Sequence, residues 1–387
     1  MKVCLVNDTS DDPNLGAIAT SRAMRRLIHE AGGSVASTLY QHRIALPQPD
    51  DTLEARHLSS EGGGAGQELP DIAPASWSDF DECASRVMDG EWFPWIREPL
   101  SECDAVLING EGCIYDRTRQ SRMIYFIAYL AKRYLRKPTA IVNHSIVMND
   151  PVLVEIAANV YPCLDDVVFR EPDSATACPG IVGHVGADAA YLYAPQPLMA
   201  WSGPHLEHFD PERPYVCVGG GSMFFRGVRP EHDPMPDLMQ LCERIQQSIG
   251  QVVLTASSHK DLRIMTPISR ELGLSLIGTD DAFQAMINVL GHARVYIGAR
   301  WHPSVFAHRG GTPVIAWTEH TPKMIAFLRQ ADLPLAAFDP FRIEAQRDDI
   351  LKLANSYLDE GEALRKRLRA GAQRLERRAH DNTRMLG

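Results

Sequence analysis

The sequence predicts an α/β protein of two facing, Rossmann-like doubly wound domains followed by a C-terminal helical tail. Three observations carry this expectation. Short apolar runs alternate with helix-periodic segments in both halves, the order that places parallel strands beneath crossover helices. A polar stretch with prolines, Pro195 to Pro214, separates the halves as a linker. The clearest unit, Val295 to Trp317, reads strand, turn, helix, turn, strand, punctuated by Gly298 and by Gly310-Gly311-Thr312-Pro313. The expected domains are residues 1–200, with an irregular insertion at 45–98, and residues 213–342; the tail covers 343–387.

Taken in order, Lys2 to Val6 is a buried strand, and a polar loop follows it through Asn14 and Gly16. The helix from Ala17 to Ala31 buries Ile18, Met24, Leu27 and Ile28 on one face. That loop lacks the glycine spacing of a P-loop or a dinucleotide fingerprint, yet it lies where parallel sheets meet ligands. The insertion is marked by Pro47, Pro49, Gly62-Gly63-Gly64, Pro70 and Pro74, and Trp77, Phe80, Trp92, Phe93 and Trp95 cluster near its end. Such aromatics either pack the excursion onto the domain or stack on a ligand's ring.

Ala105 to Ile108 is a strand that ends at Asn109-Gly110-Glu111, and Thr139 to Val142 is another that ends at Asn143-His144. A third, Val167 to Phe169, ends at Arg170-Glu171. The second half restarts at Tyr215 with a strand, the turn Gly219-Gly220-Gly221 and a loop carrying Arg226. Strand Val252 to Thr255, strand Leu274 to Ile277 and their helices lead to the Val295 unit. There Arg300 and His302 leave a strand just before a helix, whose free N–H groups favour an anion. Lys323 brings a further cation past the next strand. The structural alternative is that Arg300 pairs with a carboxylate and His302 caps the helix.

Composition narrows the classes. At 387 residues the chain suits two domains, and 45% hydrophobic residues suffice for packed cores. A net charge of −10 argues against sequence-independent nucleic-acid binding, though not against a small anion in a locally basic pocket. The eight cysteines form no Cys-x-x-Cys pair, so neither a zinc site nor a disulfide framework is expected. No signal peptide or long apolar run is apparent, and a soluble cytoplasmic protein is expected. The tail is helical and locally basic at Arg365-Lys366-Arg367-Leu368-Arg369; a solvated face is the plain reading, and attraction to an anionic membrane surface the lesser one.

The run Gly298-Ala-Arg300-Trp-His302, with Phe306-Ala307, Gly311-Thr-Pro313-Val-Ile315, Lys323 and Phe327-Leu328, resembles the C-terminal signature of the polysaccharide pyruvyl transferase family. Trp301 stands where that family has Leu. Asn14-Leu-Gly16-Ala17 is similar to its Asn-x-Gly-Asp but lacks the Asp, and Arg170-Glu171-Pro-Asp-Ser174 is similar to its Arg-Asp/Glu-x-x-Ser. Gly186-Ala-Asp188-Ala-Ala resembles Asp-Pro-Ala-Phe. Glu111 and His144 stand where the family has glycine-rich segments. The resemblance is strong only from about residue 280 to 330.

It implies a GT-B-like fold and transfer of a pyruvyl group from phosphoenolpyruvate to a sugar, forming a ketal. Arg170, Arg300, Lys323 and Arg226 would then hold the donor's anionic groups. His302 would contact the phosphate or act as acid, and Glu111, Asp188 and His144 are the candidate bases. No obligatory cofactor or metal is expected. The acceptor would be a saccharide or lipid-linked glycan. The main alternative is a GT-B glycosyltransferase using a nucleotide-sugar; a second is a binding module without activity.

Overall fold

The computed structural model describes residues 1–52, 69–177, 180–197, 209–225, 233–279 and 283–387. They form two compact units: Met1–Asp12, Thr20–Ala189 and Arg378–Gly387 make the first, Pro13–Ala19 and Ala190–Arg377 the second. Arg226, Gly62 to Gly64 and the middle of the expected linker lie outside the described residues.

The first unit contains strands β1 (Lys2–Asp8), β2 (Ser34–Tyr40), β3 (Ala105–Tyr115), β4 (Thr139–Val147), β5 (Asp166–Phe169) and β6 (His184–Val185). They form one parallel sheet in the order β2-β1-β3-β4-β5-β6. Its central strands read as unbroken apolar runs because helices cover both faces: Val3 to Val6, Ala105 to Ile108 and Ala140 to Val142 are buried. β3 and β4 run well past the ends expected from the sequence. Asn7, Glu111 and Asn143 take left-handed backbone with φ of 57°, 45° and 56°, and the pairing of β3 and β4 shifts register beyond Glu111. A polar residue tolerates that conformation where a β-branched one does not, so the strands bend rather than stop.

The insertion is fastened by charge and by rings. Arg119 pairs with Asp51 at 2.7 Å and with Asp71 at 2.5 Å, and Arg122 reaches Asp71 at 2.6 Å. Trp77 and Phe80 pack on Tyr129, and Phe80 and Phe93 on Phe126. In this structure, therefore, Trp77, Phe80 and Phe93 serve to pack the excursion onto the helix Arg119–Tyr129.

The second unit contains β7 (Tyr215–Gly219), β8 (Gln251–Thr255), β9 (Ser275–Ile277), β10 (Val295–Gly298), β11 (Val314–Trp317) and β12 (Ala337–Phe338). Their order is β12-β11-β10-β7-β8-β9, again parallel. The helix after β10 runs Trp301–Gly310, earlier than expected, so Arg300 takes its N-cap position.

The tail does not stand apart as a third segment. Its helix, Ile343–Ala379, is broken by left-handed Gly361 and buries Leu364, Leu368, Ala372 and Leu375. Beyond Arg377 the chain rejoins the first unit, where Asn382 Nδ2 donates to Ala187 O at 2.9 Å and Arg378 to Val185 O. Among the described residues no helix is long and apolar enough to cross a membrane.

Candidate functional site

In the second sheet the strand order reverses between β7 and β10, and ligands of open α/β sheets bind beyond the carboxyl ends of strands at such a point. Those ends are Gly219-Gly220-Gly221-Ser222 and Gly298-Ala299-Arg300, joined by Ala299 N donating to Gly220 O at 3.1 Å. Arg300 is held rigidly. Its Nε and Nη2 donate to Asp261 Oδ1 at 3.1 and 2.7 Å, and Nη2 also meets Ser258 Oγ at 3.2 Å. Asp261 is wholly buried and accepts from Ser257 N and Oγ as well. Burial alone would lower the Arg300 guanidinium, but Asp261 outweighs it and the group is raised above its ordinary value. Nη1 donates to no described residue, so one edge of this anchored fork is left for an anion.

His302 lies in the first helical turn and is 7% exposed. The polar loop after β1 closes against it. Asn14 Oδ1 accepts from Gly16 N at 2.9 Å and so caps the helix Leu15–Glu30, while Leu15 N donates to Ser257 O at 3.1 Å. A Cβ on Gly16 would fall within 2.6 Å of three His302 side-chain atoms. Only glycine lets helix and imidazole approach this closely.

Lys323 opens the helix after β11, its Nζ 3.9 Å from Glu319 Oε2. Glu319 also accepts from Ser222 N at 2.6 Å, from Ser222 Oγ and from the His320 ring at 3.1 Å. Burial would raise its carboxyl, but His320, Lys323 and Ser222 together bring it down to about 2. Next to it is a cavity of about 440 Å³ lined by Glu319, His320, Pro322, Met324, Leu335 and Ala337. Sites for small organic ligands run to about 300–1,000 Å³, so this one is large enough for a small ligand. The structural alternative for Arg300 is thus realised here: each cation has its own carboxylate, Asp261 for Arg300 and Glu319 for Lys323.

The first unit holds a second cluster. Arg170 Nη1 pairs with Asp188 Oδ2 at 2.9 Å with almost no exposure of either side chain, and Arg170 Nε donates to Ser145 Oγ at 2.8 Å. Glu171, adjacent in sequence, instead accepts from Ser174 N at 2.8 Å and caps the helix Pro172–Ala177. Burial raises the Glu171 carboxyl. Beside this pair an asparagine ladder ties three strands together. Asn7 Nδ2 donates to Asn109 O at 2.7 Å, Asn143 Nδ2 to Asn109 Oδ1 at 2.9 Å, and Asn143 Oδ1 accepts from Ala189 N at 2.8 Å. The last bond sets the chain just after Asp188.

His144 must be corrected as a candidate base. It neighbours Glu111 in register, as expected, but its ring is wholly buried. Val168 O must accept from Nδ1–H at 3.0 Å, so Nε2 accepts from Tyr161 Oη at 2.9 Å. Burial, opposed by that carbonyl and aided by Arg170, brings its pKa down to about 3. A neutral imidazole with both nitrogens engaged has no proton to trade. Asp188 is likewise committed to Arg170. Glu111 keeps partial exposure.

Of the residues singled out from sequence, Asn14, Gly16, Arg300, His302 and Lys323 fall in the second unit. Arg170, Asp188, Glu111 and His144 fall in the first. Sequence reading missed Asp261, Glu319 and Ser222. Asp261 is three residues after Ser258, a spacing that reads only as a helix start, with Asp261 N donating to Ser258 Oγ at 3.4 Å. Glu319 follows β11 much as Arg300 follows β10, and that parallel was the available signal.

The model of the polysaccharide pyruvyl transferase family matches residues 14–320. The chain belongs to that family. The match opens at Asn14 and includes Arg170, Asp188, Arg300 and His302, but ends short of Lys323. No curated protein matches the chain.

Among solved structures it is similar to a protein from Listeria monocytogenes assigned as a UDP-N-acetylglucosamine 2-epimerase: 19% identity, 98% of this chain and 94% of that one, TM-score 0.56. The UDP-GlcNAc 2-epimerase from Neisseria meningitidis, solved with UDP-GlcNAc, shares 14% identity over 92% and 93% of the chains, TM-score 0.53. Arabidopsis thaliana UGT89C1, solved with quercetin, shares 12% over 100% and 99%, TM-score 0.52. At such identities the likeness speaks for the fold, which is GT-B-like. This pyruvyl transferase family member is thus a saccharide-acting transferase by family.

Proposed function

We propose that the protein transfers the pyruvyl group of phosphoenolpyruvate to two hydroxyls of a saccharide, forming a ketal and releasing phosphate. The observation that supports this most is Arg300: a guanidinium pinned by buried Asp261, with Nη1 left over, two residues from His302 at the sheet's switch point. Phosphoenolpyruvate presents a carboxylate and a phosphate, and a planar, permanently charged fork fits either.

In this reading a general acid protonates the donor's methylene carbon, which becomes the methyl group and leaves C2 electrophilic. One sugar hydroxyl adds to C2 and gives up its proton. The second hydroxyl displaces phosphate from C2, and its proton leaves with the phosphate. His302 is the candidate acid or phosphate contact, and Arg300 and Lys323 meet the charge developing on the leaving group. Arg170 is assigned to donor or acceptor anionic groups, and Glu111 is the remaining candidate base. Asp188 acts through Arg170 as a positioning residue. Side chains suffice for the donor's charge, so the proposal includes no metal, and the acceptor is a saccharide or lipid-linked glycan.

A thermal-shift titration tests the donor. Phosphoenolpyruvate at about 100 times its Kd should stabilise the folded protein by about 2.7 kcal/mol. Arg300→Ala should abolish that shift and turnover while remaining folded. Stabilisation by UDP- or CMP-sugars instead of phosphoenolpyruvate would replace this reading with a nucleotide-sugar glycosyltransferase.

A further inference from the structure

The second unit carries a cationic pocket at the amino ends of β7 and β10, the opposite end of the sheet from Arg300. Tyr215 opens β7, Arg294 immediately precedes β10, and Arg294 N donates to Tyr215 O at 2.8 Å. There a cavity of about 180 Å³ is lined by Glu212, Arg213, Tyr215, His292, Arg294 and Arg365. Three guanidiniums face one carboxylate.

Their surroundings differ. Arg365 enters from the long C-terminal helix and is locked by Ala293 O at 2.6 Å and Gly291 O at 3.2 Å, carbonyls at the end of the helix Phe283–His292. Helix carboxyl ends attract such a cation, so its position is set before any ligand arrives. Arg213 and Arg294 are exposed, and neither guanidinium donates to a described residue. Burial draws the Arg365 guanidinium below its ordinary value, and the neighbouring charges of Arg369 and Arg294 push it the same way. Positive charge here is therefore only partly offset.

Size then restricts what can enter. Pockets for drug-sized molecules occupy about 300–1,000 Å³, so this cavity is too small for a nucleotide-sugar and suits a single phosphoryl group. Guanidinium forks match tetrahedral oxyanions by paired N–H donation.

We propose that this pocket is a second anion site, which takes a phosphoryl dianion, as free phosphate or as a phosphomonoester, on the forks of Arg213 and Arg294. Arg365, whose Nη1 and Nη2 are engaged by Ala293 O, Thr312 Oγ1, Gly291 O and Gly310 O, adds only its charge. It is separate from the donor site proposed above and stands whether or not that assignment holds.

Isothermal titration of the full chain at constant ionic strength, with chloride as the control anion, tests it. Inorganic phosphate and glycerol phosphate are the probes; whichever binds more tightly identifies the free anion or the ester as the preferred ligand. Arg294→Ala and Arg213→Ala should each weaken a phosphate-binding event at least tenfold, while Arg300→Ala leaves that event unchanged. Arg365 is left intact because it also holds helix carbonyls. The proposal is overturned if both probes bind no better than chloride. It is equally overturned if the Arg294 and Arg213 variants bind as the parent does, or if the only phosphate event is the one lost in Arg300→Ala.

Discussion

Replacing Gly16 by Ala adds one methyl group where the imidazole of His302 already stands. Two effects oppose each other. Alanine favours a helix over glycine by about 0.8–1.0 kcal/mol in an interior position, and less near the first turn. Against that, the new Cβ would sit within 2.6 Å of three His302 atoms, closer than side chains approach, so ring or helix must shift. Overpacking of this kind costs about 1–3 kcal/mol, so the clash wins and Gly16→Ala is expected to lower stability. A double-mutant cycle isolates the term. In a His302→Gly background all three obstructing atoms, Cβ included, are gone and only the helix gain remains, so the same substitution becomes neutral or slightly stabilising. The expected coupling is about 1–3 kcal/mol, read by urea denaturation of the four proteins. A Gly16→Ala cost that is the same with and without the imidazole would refute the claim that glycine is required here by His302.

Asp188→Asn removes one partner of a pair with almost no solvent exposure and should destabilise the protein by about 3–5 kcal/mol, with a correspondingly lower denaturation midpoint. Glu319 is held at about 2 rather than 4.5, so its contribution of about 3 kcal/mol is present above pH 4.5 and lost as pH falls towards 2. Glu319→Gln should therefore be less stable than the parent at pH 7, with the gap closing in acid; a gap independent of pH would contradict the ion-pair account. His144 is held near 3 against an ordinary 6.5, so the unfolded chain takes the proton first. Stability should fall below pH 6.5 by up to about 1.4 kcal/mol per pH unit from this residue, and NMR should show its ring still neutral at pH 5.

Architecture was legible because parallel sheets covered on both faces leave a simple trace: apolar runs such as Val295 to Ile297, each followed by a turn and a helix-periodic stretch. What escaped was what left-handed backbone and long-range pairing decide. Ala105 to Ile108 looks finished at Asn109, yet the strand bends at Glu111 and continues to Tyr115. Arg300 and Lys323 stood out because Arg300 follows the run ending at Gly298 by two residues and Lys323 the run ending at Trp317 by six. Asp261 did not, since it reaches Arg300 across 39 residues only through the fold, whereas Glu319 lies four residues before Lys323 and its pairing was within reach of the sequence. His144 shows the converse error. Adjacent polar residues suggested a site, but Tyr161, 17 residues on, and Val168 O make it a core residue.

The exchange of segments between the two units bears on how the chain is made. β6 and the stretch after it are synthesised early, but Asn382 and Arg378, which satisfy the carbonyls of Ala187 and Val185, emerge from the ribosome only after all of residues 190–377. A nascent first unit must wait with those backbone groups in water, and its closure is timed by completion of its neighbour.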